Sequence, residues 1–311
     1  MANTDQIRSI LAAELRRKLS DTPKKPFMRF ANYEFEWELK KAGDNVTVPI
    51  SPKVTLTDVS GNGQTSTIRT NSIADITATD RTIGYSTLTI NKLHQYREKF
   101  SDLEEIQTLY SIKGGRVQDL LEGMDTAVEQ SIISMLDAHL LAYGSGSNII
   151  TKATLTTANV AENIMELRTK LSEAEVPMNN RILIVSPKVS AVIAQAGILQ
   201  GTELAANGAV EGWLGKFAGF EIYESNLIEA ADIYAFRAKS YNYVRQLFKV
   251  KVTEAEAGMY YNILGQIAHG GKVFDQNAEQ IWKEVISAFQ PTPTETPTET
   301  PTETPTETPT N

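Results

Sequence analysis

The sequence predicts an α+β chain organised around one long helix, and three observations carry that expectation. From Val117 to Leu136 apolar residues recur at steps of three and four, the spacing of one buried helix face. Residues 46–56 and 85–90 instead alternate apolar and polar side chains with the period of two that a strand requires. Between about 150 and 240, short helical and strand-like runs follow one another, the order of a compact α/β unit.

The first element along the chain is a basic arm. Residues 1–30 carry seven Lys or Arg against three Asp or Glu, in a chain of formal net charge −8. Ile7, Leu11, Leu15 and Leu19 repeat every four positions and predict a helix from Asn3 to about Ser20, with Arg16, Arg17 and Lys18 suiting its C-terminal end. Pro23 and Pro26 stop it. A helix this short is marginal alone in water. It is expected to dock either on its own domain or on an acidic neighbouring subunit. Tyr33, Phe35 and Trp37 then alternate with Glu34, Glu36 and Glu38, which predicts a strand with one aromatic face buried and one acidic face solvated.

A long ribbon comes next. Val46, Val48 and Ile50 begin its outgoing limb, Val54 and Leu56 continue it, and Tyr85 to Ile90 form the return. Gly61-Asn62-Gly63 supplies a turn, and Pro49 and Pro52 confine the first limb to an edge or a bulge. Two strands alone bury too little apolar area to stand in water, so the ribbon is expected to lie along another chain. Ser101 and Glu104 carry a capping-box signature. After Gly114-Gly115 the long helix runs to about Tyr143, roughly 40 Å at 1.5 Å per residue, and Gly144 to Ser147 end it as a flexible joint.

Within the α/β unit, Val160, Ile164, Leu167 and Leu171 mark a helix starting near Thr156. Residues 181–185 form a short buried strand, and Ser186-Pro187 place an N-cap and a proline at the start of a helix that Gly197 closes. Residues 219–224 and 232–237 read as further strands. From Leu247 to about Val273 the pattern is again strand-like and returns the chain to the long helix.

Composition excludes several kinds of chemistry. The chain has no cysteine and only three histidines, His94, His139 and His269, none near another in sequence. Disulfides, thiolate zinc sites and cysteine nucleophiles are therefore excluded. No apolar run approaches the roughly 20 residues that span a bilayer, and the first 30 residues lack a signal core. There is no G-x-S-x-G, so Ser186 reads as a helix cap, and no phosphate-binding glycine motif; Gly270-Gly271 read as isolated turn signals. No catalytic, cofactor-binding or metal-ligating residue is nominated, and the expectation is of a protein without enzymatic activity.

The assembled order resembles the major capsid protein of tailed bacteriophages, the Hong Kong ninety-seven-type fold. The stretches that carry the likeness are Leu103 to Tyr143, Ile182 to Lys188, Gly212 to Asn226 and Ala235 to Tyr241. The resemblance implies an N-terminal arm with its lead-in strand over 1–45, an extended β-hairpin loop over 46–92 and a peripheral domain with the spine helix over 93–149. It further implies an axial α/β domain over 150–240 and a return to the peripheral domain over 241–290. It implies a structural subunit that self-assembles as pentamers and hexamers into an icosahedral head shell around double-stranded DNA, made in the bacterial host cytoplasm and residing in the virion. A separate scaffolding protein, a portal and decoration proteins are the implied partners, with DNA touched only non-specifically and no membrane or cofactor. Encapsulin nanocompartments share the fold and remain the alternative; a surface adhesin with a Pro/Thr stalk is the reading from another class.

Residues 291–311 hold six prolines, ten threonines, four glutamates and one asparagine, and from Pro297 to Thr308 they repeat Pro-Thr-Glu-Thr in four-residue steps. Such a segment has nothing to bury and is expected to be disordered. Extended polyproline geometry would let it reach roughly 65 Å at 3.1 Å per residue. It is expected either to display outward from each subunit or to be a dispensable solvated extension.

Overall fold

The computed structural model describes residues 25–36, 45–50, 84–101, 112–199, 212–228, 231–254 and 260–289. The arm helix expected over residues 3–20, the ribbon's far portion, the capping residue Glu104 and the C-terminal tail lie outside the described residues. The α+β class expected from periodicity is the one observed, in three sheets around one long helix.

The first described element is a single helical turn, α1 (Pro26–Phe30), with proline in its first turn and Phe27 and Met28 fully buried. The segment after it corrects the strand expected from alternation at residues 33–38. Asn32 makes one isolated bridge to Asn242, and residues 34–36 form a turn in which the Glu36 N–H bonds the Tyr33 carbonyl at 3.1 Å. Alternating aromatics are compatible with a strand, but Tyr33 and Phe35 pack here against two different clusters, which only a bend permits.

The ribbon base forms as predicted. Strand β1 (Asn45–Ile50) pairs antiparallel with β2 (Gly84–Thr89), bringing Val46 opposite Leu88. Its seat differs from expectation. Leu88 and Ile90 are buried on their own chain against Val244, Ala268 and Phe274. A long strand then follows that the sequence did not signal, β3 (Lys92–Ser101). It forms the edge of a sheet ordered β3-β10-β9 with β9 (Asn242–Glu254) and β10 (Tyr260–Lys272), both expected from the period-two pattern.

The spine helix, α2 (Ile112–Ala142), has 31 residues, about 46 Å at 1.5 Å per residue. Met124, Val128, Ile132, Leu136 and Leu140 make its buried stripe, as their spacing required. It begins before Gly114-Gly115 and runs through them. The joint at Gly144 to Ser147 is a tight turn: Gly144 and Gly146 take left-handed φ of 51° and 84°, and the Gly146 N–H bonds the Tyr143 carbonyl at 2.9 Å.

A six-stranded mixed sheet follows, ordered β4-β11-β8-β5-β7-β6. Its strands are β4 (Ile149–Leu155), β5 (Arg181–Val185), β6 (Trp213–Phe217), β7 (Phe220–Glu224), β8 (Ile233–Arg237) and β11 (Ile281–Phe289). Helices α3 (Val160–Glu173) and α4 (Pro187–Ala196) cover one face, and α3 starts a turn later than Thr156. Alternation within β5 explains its unbroken apolar run: Ile182 and Ile184 face the spine helix, while Leu183 and Val185 face α3 and α4. Strand β11 corrects the expected return of 241–290 to the spine. β9 and β10 join β3 in the three-stranded sheet, whereas β11 touches the spine helix but enters the six-stranded sheet, parallel to β4 and antiparallel to β8.

Gly270 and Gly271 are also corrected, from turn signals to positions within β10. A Cβ on Gly270 would overlap the Thr89 carbonyl and stand 2.9 Å from Ile90 Cα, both backbone atoms of the ribbon base. One on Gly271 would overlap the Tyr243 ring and stand 2.7 Å from the Met135 sulfur. These residues let the ribbon base and the spine helix press on opposite sides of one strand. Gly270→Ala is therefore expected to cost about 3 kcal/mol in urea unfolding, because backbone cannot step aside as a side chain can. A loss below about 0.5 kcal/mol, the size of an ordinary surface change, would show that the approach is not close.

Candidate functional site

The residues weighed for chemistry are dispersed by the fold. Ser186 stands at the N-cap position of α4, yet its hydroxyl makes no capping bond and is buried without a partner; Pro187 and the Ser190 N–H to Ser186 carbonyl bond begin the helix. Glu34 is exposed, Glu36 is half-buried and Glu38 lies outside the described residues. Among the described residues no group of three or more His, Asp or Glu is placed to hold a metal ion. What the fold does concentrate is buried polarity, in four places around the spine helix and its neighbouring sheets.

The first place ties the incoming chain to the spine. Glu129 of α2 is fully buried, and its Oε1 accepts from the Phe27 N–H at 3.2 Å and the Ser225 hydroxyl at 3.4 Å. Burial pushes its carboxyl up to about 7, against the pull of the Phe27 N–H, Lys25 and Ser225. Tyr241 donates to the Phe27 carbonyl, Tyr33 donates to the Met28 carbonyl at 2.7 Å, and the Lys25 ammonium donates to Thr126 at 2.7 Å. Nearby, Arg245 of β9 meets Asp125 of α2 at 3.4 Å, both buried. A five-residue helix has no stability of its own; these bonds and the burial of Phe27 and Met28 hold it.

The second place joins histidines that sequence separation had hidden. Strand register brings His94 of β3 over His269 of β10, ring centroids 4.8 Å apart and nearly parallel, and the Tyr243 hydroxyl bonds His269 Nδ1 at 2.6 Å. Burial, then His94 and Lys92, lowers His269 to about 4. It is therefore neutral in the folded protein, and its contribution to stability is lost as pH falls from 6.5 through about 4.

In the third place, Lys283 of β11 reaches Asp137 of α2 at 2.8 Å and Asp232 at 2.9 Å, and lies 4.8 Å from the centroid of the Tyr234 ring. Burial pulls the lysine down, but the two carboxylates outweigh it and the net shift is upward. Tyr234 donates to the same Asp137 at 2.8 Å. The cation thus bolts the spine helix to the six-stranded sheet.

The fourth is Glu284, fully buried beneath α3, with neither carboxyl oxygen hydrogen-bonded. Burial drives it up to about 7, the Lys152 charge lowers it, and Glu166 raises it. A carboxyl raised this way holds its proton longer in the folded than in the unfolded chain. Its contribution is complete below pH 4.5 and is lost as pH rises through about 7, a change of about 3 kcal/mol. Glu284→Gln is expected to remove this dependence, so that the variant gains on wild type progressively from pH 5 to pH 8 in urea melts. Parallel profiles for the two proteins would show that Glu284 is not the titrating group. The signal for it was present in sequence, a lone acid in the apolar run Ile281 to Ile286, but nothing local says that both faces of β11 are covered.

An open cleft of about 540 Å³ lies beside the turn after the spine helix, walled by Tyr143, Trp282, Glu173, Glu175 and Glu279. Asn148 at its floor is committed to the fold, donating to the Ala278 and Ile281 carbonyls at 3.0 Å each.

No protein-family model matches the sequence, and no curated protein is similar to it. Solved structures are similar over nearly the whole chain. A chain of Mycobacterium phage Che8 shares 18% identity at a TM-score of 0.63, covering 85% of this chain and 92% of its own. The capsid structure of cyanophage P-SCSP1u shares 13% identity at 0.59, covering 79% and 84%. The virus-like particle of Pyrococcus furiosus shares 15% identity at 0.51, covering 90% and 98%. Spine helix, ribbon base, three-stranded sheet and mixed sheet together give this chain the fold of the tailed-phage capsid proteins, the Hong Kong ninety-seven type.

Proposed function

We propose that this chain is the structural subunit of an icosahedral head shell that encloses double-stranded DNA. The observation that carries the reading is the extent of the likeness: phage capsid structures match over about four fifths or more of both chains. In this reading the ribbon rooted at residues 45–50 and 84–90 is the extended loop, α2 with β3, β9 and β10 is the peripheral domain, and the region 150–240 with β11 is the axial domain. Pentamers and hexamers form the shell, assembled in the host cytoplasm with a separate scaffolding protein and joined by a portal and decoration proteins. The subunit does no chemistry; its buried charges serve the fold.

Shell contacts need only modest strength. A contact of about 4 kcal/mol is millimolar, and closure multiplies many such contacts. Electron microscopy of the expressed chain, with scaffolding protein where required, is expected to show closed icosahedral particles. Monomers under every condition would remove the reading. The likeness to an archaeal virus-like particle supports a second one, a compartment shell that holds protein. Nuclease-protected DNA in purified particles separates the two.

A further inference from the structure

The open cleft beside the turn after the spine helix joins two aromatic walls, Tyr143 and Trp282, to three carboxylates, Glu173, Glu175 and Glu279. No Lys, Arg or His is among its lining residues. Separate elements deliver the groups. Tyr143 follows α2, Glu173 ends α3 with Glu175 just beyond it, and Glu279 and Trp282 lie at the start of β11. The rings are held in place: Trp282 Nε1 donates to the Glu279 carbonyl at 3.1 Å, and Tyr143 stacks on His139 with centroids 5.7 Å apart. The acidic field reaches the aromatic wall, since burial and then Glu279 and Asp275 raise the Tyr143 hydroxyl. Two large apolar side chains near these residues in sequence are left in solvent. Leu141, two residues before Tyr143, is 67% exposed, and Met178, three residues after Glu175, is 65% exposed. Aromatic faces beside carboxylates fit a guanidinium or an ammonium, and exposed apolar ground next to them fits an amphipathic helix.

We propose that this cleft seats the basic arm of a second copy of the chain, through Arg16, Arg17 and Lys18. The inference deepens the shell reading by naming one contact between subunits, and rests on it for the setting. The arm has the matching chemistry: the apolar stripe Ile7, Leu11, Leu15 and Leu19 needs a surface, and Arg16-Arg17-Lys18 stand at the end of the helix that this stripe predicts. Chain direction selects a second copy over the same one. The Phe27 N–H bonds Glu129 and the Lys25 ammonium bonds Thr126, so towards lower numbers the arm leaves along the spine towards its start. Tyr143 lies the other way, seventeen residues beyond Thr126, about 26 Å at 1.5 Å per residue. An arm seated in its own cleft would have to reverse; a neighbour's arm need not. Glu173 already pairs with Lys170 at 3.0 Å, but both side chains are exposed and such pairs exchange readily. Each carboxylate has two oxygens, so the contacts these glutamates already make leave lone pairs for an incoming donor.

The test mixes ordinary and heavy-isotope-labelled full chain at the concentrations used for assembly, then joins touching ammonium and carboxylate groups with a zero-length carbodiimide. Mass spectrometry is expected to find Lys18 joined to Glu173, Glu175 or Glu279, with labelled and unlabelled partners mixed. Isotope-pure pairs would place each arm in its own cleft and overturn the proposal. So would associated copies whose Lys18 is joined only to carboxylates elsewhere. R16Q/R17Q keeps Lys18 as the reporter and is expected to lower the cross-link yield about fivefold. The charge-matched control K188Q/K216Q is expected to leave the yield unchanged, and equal losses in both variants overturn the proposal. Charge reversal gives an independent reading by sedimentation: E173K/E175K/E279K is expected to weaken association, and adding R16E/R17E/K18E to restore it, with urea melts unchanged. A combined variant that folds and does not regain association also overturns it. Closed particles without these cross-links would sink this inference alone; mixed cross-links without closed particles would sink the shell reading alone.

Discussion

Replacing residues 53–82 by a short Gly-Ser turn is expected to leave the subunit folded and to abolish shell formation. The folded outcome follows from where the ribbon is rooted. Strands β1 and β2 keep all six paired positions, and Leu88 and Ile90 stay buried against Val244, Ala268 and Phe274. Fully burying a large aliphatic side chain contributes about 1.5–3 kcal/mol, so this pair supplies about 4 kcal/mol that the deletion does not touch. Urea midpoints are expected to agree within about 1 kcal/mol. Assembly behaves differently, because every subunit loses the same contact and closure multiplies the loss. Electron microscopy of the variant under conditions that assemble wild type is the measurement. Intact shells would show that the ribbon is no clasp between subunits.

Lys283→Ala is expected to be the most damaging single substitution among the buried charges. It leaves Asp232 and Asp137 facing each other without their cation, and breaking a buried ion pair by removing one partner costs about 3–5 kcal/mol. The lower end applies here, because the Asp137 side chain is 35% exposed and water screens it. A triple change to Lys283→Met, Asp137→Asn and Asp232→Asn is expected to recover most of that loss, since no charge is then stranded. If the single and triple variants unfold at the same urea concentration, the loss comes from packing of the lysine stem and not from the uncompensated carboxylates.

The elements legible in sequence were those whose pattern is local. The stripe from Met124 to Leu140 repeats within one helix, and the run Ile182 to Val185 is apolar at successive positions because helices cover one face and the spine the other. Ser186-Pro187 and Gly197 bracket α4 by backbone preferences that act over one or two residues. At Tyr33 to Glu36 local alternation misled, because a bend sends Tyr33 and Phe35 to different clusters. Strand β3 left no signal, since an edge strand exposes most positions on both faces and needs no apolar period.

The candidate sites were least legible of all. His94 and His269 meet only through register, Lys283 finds Asp137 only across the spine and the sheet, and Gly270 is needed only because Thr89 crosses behind it. Periodicity in the chain determined the helices, most strands and the fold class, because burial of one face is recorded every two or every three to four residues. Which strands pair and which charges are buried together were decided by contacts between residues far apart in sequence, where no local spacing records the partner.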